Sequence, residues 1–183
     1  MITMAFKTTE NDKYTADDNL GLNNIMDLLT NKGRSDIEDR IIVLHKKRPI
    51  IAEQIAAARE NGGVEENEEL HMSMEEMNRV DIEIGRLQTI IEKSTHLAIP
   101  AAGDYDVVAP GLTVELENYH IDKIVTYTIL GEYESNPSHG SISFKSPLGR
   151  ELIGLEIGEV AELLRGDDVI EYEVLKIFSR DVT

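Results

Sequence analysis

The 183-residue chain carries a formal net charge of −17 at pH 7, and 41% of its residues are hydrophobic. That apolar share is normal for a folded soluble protein, whereas the negative charge repels polyanions and argues against autonomous binding of DNA or RNA. The chain has no Cys, which excludes disulfides and thiolate zinc sites. With neither a long apolar span nor a secretory signal in the sequence, we expect a cytoplasmic protein without a membrane contact.

Residues 1–34 form a polar, irregular arm with one short apolar patch, which we interpret as at most one or two helical turns. The patch comprises Leu20, Leu22, Ile25, Met26, Leu28 and Leu29. A helix is then predicted to begin at Ser35, because Ser35 and Glu38 have the spacing of a capping box. In that motif the serine hydroxyl accepts a hydrogen bond from a first-turn amide, and the glutamate reaches back to the amide of the cap residue.

Two apolar stripes with steps of three and four residues predict an antiparallel coiled-coil hairpin over residues 35–99. Gly62 and Gly63 separate the stripes and favour a turn, while Pro49 removes one backbone hydrogen bond from the first helix. Each helix has a single stripe, which the other helix covers, so we expect the far end of the hairpin to project. The first stripe comprises Ile37, Ile41, Leu44, Arg48, Ile51, Ile55 and Ala58, and the second comprises Leu70, Met74, Met77, Val80, Ile84, Leu87 and Ile91.

The tip of this hairpin, residues 60–69, is strongly acidic. Its glutamates are Glu60, Glu65, Glu66, Glu68 and Glu69. One interpretation is a solvated turn whose carboxylates favour the positive end of the second helix. The other is that a projecting acidic cluster delivers oxygen ligands to a divalent ion such as Mg²⁺. The residue pattern by itself leaves both interpretations open.

Residues 100–104 break the helical period, and a second domain over residues 104–183 is predicted as a small antiparallel sheet with one short helix. Ser146 as cap, Pro147 at the first helical position and Gly154 beyond the end predict that this helix runs to Ile153. The predicted strands are Thr113 to Leu116, Ile124 to Leu130, Ile142 to Lys145, Val160 to Leu164 and Ile170 to Ile177, with a hairpin loop at Gly166 to Asp168. The predicted fold class is therefore α+β.

Two separated motifs resemble those of the bacterial GreA/GreB transcript-cleavage factors. The first runs from Arg48-Pro49 through Ala57-Ala58-Arg59-Glu60-Asn61-Gly62 to Glu66-Asn67-Glu68-Glu69 and His71, and it is similar to their coiled-coil tip. The second is Ser146-Pro147-Leu148-Gly149-Arg150-Glu151-Leu152-Ile153-Gly154, followed by Gly158-Glu159-Val160, and it is similar to the signature of their C-terminal domain. The resemblance covers roughly residues 36–177.

The resemblance implies an FKBP-like C-terminal domain that binds multi-subunit RNA polymerase at the rim of its secondary channel. It also implies a coiled coil that reaches the active centre, where tip acids help to hold Mg²⁺ and the polymerase cleaves its own backtracked transcript. The implied rim contacts are Lys145, Ser146 and Pro147. The implied tip acids are Glu66, which is also the metal ligand, with Glu65 and Glu68, and the implied contacts with the RNA 3′ end are Arg59, Lys47 and Arg48. On this interpretation the chain is a monomeric accessory factor and not an enzyme, and it has no cofactor of its own.

One tip position departs from the family pattern, because Gly63 stands where the family has an aspartate. Either neighbouring glutamates replace that carboxylate, or the protein occupies the channel without stimulating cleavage and inhibits or modulates the polymerase. The basic residues of the first helix also fit a plain solubilising role, and Ser146 and Pro147 fit plain helix capping. A prolyl isomerase or chaperone is the remote alternative, since the chain has no Trp and few aromatic residues to line an apolar pocket.

Overall fold

The computed structural model describes residues 27–61, 68–166 and 168–179. The helices are α1 (Asn31–Asn61), α2 (Glu68–Lys93) and α3 (Pro147–Leu152), with a 3-10 turn at Pro137–His139. The strands are β1 (Leu28–Leu29), β2 (Thr95–His96), β3 (Gly103–Asp104), β4 (Thr113–Asn118), β5 (Lys123–Leu130), β6 (Ser141–Ser143), β7 (Val160–Arg165) and β8 (Asp168–Ser179). The predicted α+β class is confirmed, as a helical hairpin followed by a largely antiparallel sheet. In the part of the chain that is described, no helix combines the length and apolar character needed to cross a membrane.

Helices α1 and α2 pack along each other to form a rod, which is about 46 Å long at 1.5 Å for each residue of α1. Their contact follows the predicted three- and four-residue steps, and α1 continues through Pro49, whose side chain is exposed. One cluster of buried side chains in the rod comprises Leu29, Ile37, Leu44, Ile51, Val80, Ile84 and Leu87, and the side chains packed against it are Ile41, Ile55, Met77, Ile90, Ile91 and Tyr133. We call this set the rod cluster.

Helix α1 begins at Asn31, so the predicted start at Ser35 is wrong. Thr30 caps the helix instead, because its Oγ1 accepts a hydrogen bond from the Gly33 N–H at 3.0 Å and its carbonyl accepts one from Arg34 N at 3.0 Å. Ser35 is an exposed residue within the helix. A threonine at the cap gives the same amide hydrogen bond that the serine was expected to give.

The second stripe is also shifted at one position. Ser73 is buried in the seam of the rod, whereas Met74, which the stripe was predicted to include, is 47% exposed. With Ser73 in place, the seam of α2 alternates strictly between steps of three and four from Leu70 onward. The sequence-based prediction chose Met74 because it is apolar. The heptad spacing instead places the adjacent Ser73 in the seam.

The C-terminal residues form a six-stranded sheet in the order β3-β8-β4-β5-β6, with β7 also paired to β8. The pairs are antiparallel except for β5 and β6, which run parallel, so the prediction of an antiparallel sheet is wrong at this edge. Residues 131–140 return the chain along β5, so that Ser141, the first residue of β6, lies beside Thr128. Strand β6 therefore runs in the same direction as β5. Helix α3 packs against β6 and β7. Its predicted cap, first proline and Gly154 beyond the end are confirmed, but the helix ends at Leu152, one residue before the predicted Ile153. Strand β3 was not predicted.

A second, two-stranded sheet lies at the base of the rod. Strands β1 and β2 pair in parallel, with Leu28 opposite Thr95 and Leu29 opposite His96. The interpretation of Leu28 and Leu29 as part of an irregular or helical arm is therefore wrong. These strands bring the residues before α1 and the residues after α2 together, beside the large sheet.

Candidate functional site

The 143–150 segment runs from the end of β6 through a tight turn into the first residues of α3, and two serine hydroxyls stabilise the turn. Ser146 Oγ donates a hydrogen bond to the Ser143 carbonyl at 2.7 Å and accepts one from the Gly149 N–H at 3.0 Å. Ser143 Oγ accepts a hydrogen bond from Lys145 N at 3.1 Å. The predicted residues Lys145, Ser146 and Pro147 are thus held in one conformation on the surface of the sheet domain.

Gly149 is the residue that lets this turn close. A Cβ atom at this position would lie 2.1 Å from the Ser143 carbonyl oxygen and 3.1 Å from Phe144 Cα. Both neighbours are backbone atoms, which cannot rotate away as a side chain can. The sequence contained a signal for this contact, since a glycine inside a helix costs stability relative to alanine and often marks a place where another group approaches closely.

Lys145 places a positive charge beside an apolar surface. Its Nζ lies 5.5 Å from the centroid of the buried Phe144 ring and 3.9 Å from Glu132 Oε2. Pro147, two residues further on, is exposed. The segment can therefore offer an ammonium group and an apolar ring to the same partner, which suits a protein surface with an acidic or polar end.

At the other end of the rod, one seam residue of each helix is buried in the described turn nearest to the tip. Ala58 of α1 and Leu70 of α2 are each 1% exposed. Glu68 and Glu69 lie exposed in the first turn of α2, where carboxylates interact favourably with the helix dipole. The tip acids Glu65 and Glu66, together with Gly63, lie outside the described residues.

The three basic residues predicted to contact RNA do not lie together. Lys47 Nζ is 2.5 Å from Glu76 Oε1, and Arg48 Nε is 2.7 Å from Asp81 Oδ1, so both side chains form ion pairs across the rod. The Lys47 ammonium holds the pKa of Glu76 below its ordinary value, chiefly through their hydrogen bond. Arg59 is exposed about 17 Å further along α1, beside the tip. Of the three, only Arg59 lies in the last described turn of α1.

Groups of metal-binding side chains are missing from the described part of the chain. Among residues 27–61, 68–166 and 168–179, no three His, Asp or Glu side chains are grouped closely enough to hold a metal ion. Glu68 can contribute one carboxylate from the start of α2, and the other predicted ligands belong to residues 62–67. The magnesium role of Glu66 stays a prediction.

Comparison with known protein families gives one match for each of the two parts of the chain. Residues 27–95 match the family described as "Transcription elongation factor, N-terminal", and residues 102–179 match "Transcription elongation factor, GreA/GreB, C-term". The two matched ranges correspond to the rod and to the sheet domain. The protein is therefore a two-part factor in which a coiled-coil hairpin is joined to a small sheet domain.

The chain belongs to the GreA/GreB family of transcription elongation factors. It is 32% identical over 154 residues to transcription elongation factor GreA of a Nitratiruptor species, covering 84% of this chain and 94% of the relative. It is 35% identical over 151 residues to GreA of Alkaliphilus oremlandii, covering 82% and 94%. A crystal structure of GreA factor homolog 1 (Gfh1) of Thermus thermophilus is 21% identical, covers 82% of this chain and 97% of that one, and has a TM-score of 0.38.

Proposed function

We propose that the protein binds RNA polymerase at the rim of its secondary channel and inserts the rod, so that the tip acids reach the active centre. There they stimulate cleavage of backtracked transcripts by the polymerase itself, and the chain alone is not a nuclease. The observation that carries this proposal is the burial of Ala58 and Leu70, which are each 1% exposed and show that the seam of the rod continues into the last described turn of α1 and the first described turn of α2. A closed rod holds its end at a fixed distance from its base, as delivery of a carboxylate requires.

The tip residues we propose to act are Glu66, with Glu65 and Glu68 as neighbours. Carboxylate oxygens are suitable ligands for Mg²⁺, which supplies charge neutralisation and an activated water in phosphodiester hydrolysis. Glu68 fits this role because it is exposed at the first position of α2. Since one or two carboxylates make a weak site, the polymerase must provide the remaining ligands.

Glycine at position 63 favours a second function, in which the rod occupies the channel without stimulating cleavage. Gly63 has no side chain and offers no ligand where the family pattern has an aspartate. A protein of this kind still docks and still inserts its rod, but it inhibits or modulates elongation. The two functions share the docking contact and differ in the chemistry at the tip.

One assay separates the two functions. A stalled, backtracked elongation complex is incubated with the protein and Mg²⁺, and transcript lengths are measured over time. Shortened transcripts support cleavage, whereas unshortened transcripts with slower elongation support channel blocking. The protein without polymerase, incubated with the same RNA, is expected to leave it intact.

The tip assignment is tested with Glu66→Ala and a matched control, Glu92→Ala, which removes an exposed glutamate at the other end of α2. We expect Glu66→Ala to lower the cleavage rate by about 10²-fold or more, as loss of a transition-state contact does, and Glu92→Ala to retain it. Equal rates for the two variants would overturn the role of Glu66. Gly63→Asp is the complementary change, and a higher cleavage rate would identify what the natural tip lacks.

The rim contact is tested separately from the tip. We expect Lys145→Gln and Pro147→Ala to weaken polymerase binding, because they remove the ammonium group and the exposed ring of the 143–150 segment. Lys123→Gln is the control, since Lys123 is an exposed lysine elsewhere on the sheet domain. Arg59→Ala is expected to reduce the salt dependence of binding to a backtracked complex, because a phosphate contact releases counterions. Binding that is insensitive to Lys145→Gln and Pro147→Ala would place the contact on another surface.

A further inference from the structure

The base of the rod is held by a buried carboxylate. Asp27 is 8% exposed, and its carboxylate accepts hydrogen bonds from three backbone N–H groups: Leu28 at 2.8 Å, Glu132 at 2.7 Å and Tyr133 at 3.2 Å. A buried charge is costly unless such donors surround it. Two of the donors belong to the 131–140 loop of the sheet domain, so Asp27 joins the start of the rod to that loop.

A second carboxylate also joins the two parts, but this one belongs to the sheet domain and its donors belong to the rod. Glu134, in the 131–140 loop, accepts hydrogen bonds from Thr30 N at 2.8 Å and from Thr30 Oγ1 at 2.5 Å. Thr30 is the residue that caps α1 through its bond with Gly33 N–H. The sheet domain therefore supplies an anion at the N-terminus of α1, where the helix dipole favours one.

Two glycines allow this close approach. A Cβ at Gly131 would lie 1.7 Å from the Leu28 carbonyl oxygen, and a Cβ at Gly33 would lie 2.1 Å from Glu134 Cδ. One glycine belongs to the sheet domain and the other to the rod, so each of the two surfaces has a glycine where the other approaches. We call Asp27, Thr30, Gly33, Gly131 and Glu134 the clasp.

The clasp is connected directly to the 143–150 segment. The backbone N–H of Glu132 binds Asp27, while the side chain of Glu132 lies 3.9 Å from Lys145 Nζ. The Phe144 N–H also donates a hydrogen bond of 2.9 Å to the carbonyl of the last residue of β5, immediately before the 131–140 loop. The proposed rim contact and the base of the rod are therefore attached to the same few residues of the sheet domain.

We propose that the clasp fixes the direction of the rod relative to the 143–150 segment, and that Glu134 and Thr30 are positioning residues for the tip. The direction of the rod in the free protein does not depend on the function proposed above, whereas the consequence for the tip rests on it. A change of angle at the base is multiplied along a rod of about 46 Å, so a small loss of order at the clasp becomes a large displacement at the tip.

The experiment measures the direction of the rod directly. The chain has no Cys, so a pair of spin labels can be placed at Gln54→Cys on α1 and Lys123→Cys on the sheet, both exposed positions. We expect a narrow distance distribution, which Glu134→Ala and Asp27→Asn broaden and Glu92→Ala leaves unchanged. An unchanged distribution in both clasp variants, with circular dichroism showing that they are folded, would overturn the proposal.

A second arm uses the backtracked elongation complex. If the clasp positions the tip, Glu134→Ala lowers the tip-dependent effect on the transcript by about tenfold or more while the Kd for polymerase stays that of the unaltered protein. A broadened distribution with a fully retained effect would overturn the positioning role. If the unaltered protein has no effect on the polymerase, the proposed function fails, and the distance distributions still decide whether the clasp fixes the rod.

Discussion

Leu28 and Leu29 are adjacent in the sequence and are buried in different hydrophobic clusters. Leu28 is 4% exposed and packs in the core of the large sheet, and Leu29 is 3% exposed and packs in the rod cluster. The separation follows from their strand conformation, in which successive side chains point to opposite faces. The two-residue strand β1 thus joins the interiors of the two parts of the protein.

The position of Leu29 gives a prediction for stability. Leu29→Ala is expected to lower the free energy of unfolding by about 2–5 kcal/mol, because it leaves a cavity at the base of the rod. Ile42→Ala is the control, since Ile42 is 50% exposed on α1, and it is expected to change stability by about 0.5 kcal/mol or less. Urea unfolding followed by circular dichroism measures both. Similar midpoints for the two variants would contradict the burial of Leu29.

The seam position of α2 gives a second prediction. Met77 packs against the rod cluster and Met74 is exposed, so Met77→Ala is expected to cost about 1 kcal/mol or more through lost apolar burial. Met74→Ala is expected to remain within about 0.5 kcal/mol of the unaltered chain. Thermal unfolding of the two alanine variants side by side measures the difference. A larger loss of stability in Met74→Ala than in Met77→Ala would support the seam predicted from the sequence, which included Met74.

Two glycines in helices make a matched pair for a third prediction. Gly149→Ala is expected to destabilise the sheet domain by about 1–3 kcal/mol, because the new Cβ meets the Ser143 carbonyl. Gly85→Ala is expected to stabilise the rod by about 0.5–1 kcal/mol, since nothing lies within 4 Å of that Cβ and alanine is the better helix former. Chemical denaturation gives both signs. A neutral Gly149→Ala would show that the 143–150 turn can open.

A fourth prediction concerns the ionisation of Tyr119. Its hydroxyl donates a hydrogen bond to Glu173, and that bond, together with desolvation and the charges of Glu173, Glu117 and Glu171, raises the pKa of Tyr119 to about 12 from 10.0. The contribution of this contact to stability is therefore fully present below pH 10.0 and is lost as the pH rises through the raised pKa.

Ultraviolet absorbance of the phenolate measures this titration. The difference between the unaltered chain and Tyr119→Phe isolates the one tyrosine, and its midpoint is expected near 12. Glu173→Gln is expected to move that midpoint downward, because a neutral amide is a weaker hydrogen-bond acceptor than a carboxylate and carries no negative charge. A midpoint at the ordinary tyrosine value in the unaltered chain would mean that the hydrogen bond to Glu173 is absent in solution.

Local sequence patterns were sufficient to predict the elements whose ends or buried faces depend only on residues nearby in the chain. Ser146, Pro147 and Gly154 lie within a few residues of one another, and they define the ends of α3 without help from the rest of the chain. The seam of the rod was predicted in the same way, because heptad spacing depends on neighbours along one helix. It was wrong at Met74, where the seam residue is a serine, and at Arg48, which is exposed and pairs with Asp81.

The junction could not be predicted, because its partners are far apart in the chain. Thr30 and Glu134 are separated by 104 positions, and Asp27 and Glu132 by 105. Nothing near Thr30 in the sequence identifies the carboxylate that orders it, and Ser35 with Glu38 was the better local match to a capping box. The placement of the tip acids Glu65 and Glu66 remains a prediction for a different reason, since they lie outside the described residues.

The parallel pairing of β1 with β2 has a consequence for how this architecture can vary. The chain leaves the base of the rod after Leu29 and returns at Thr95, and these two places lie side by side. The two helices beyond Thr30 and Gly33 of the clasp form a hairpin that can be shortened or lengthened without changing its point of attachment. Removing seven residues from each helix keeps the seam in phase and shortens the reach by about 10 Å. The length of the rod can therefore change in steps of seven residues per helix, while the sheet domain stays the same.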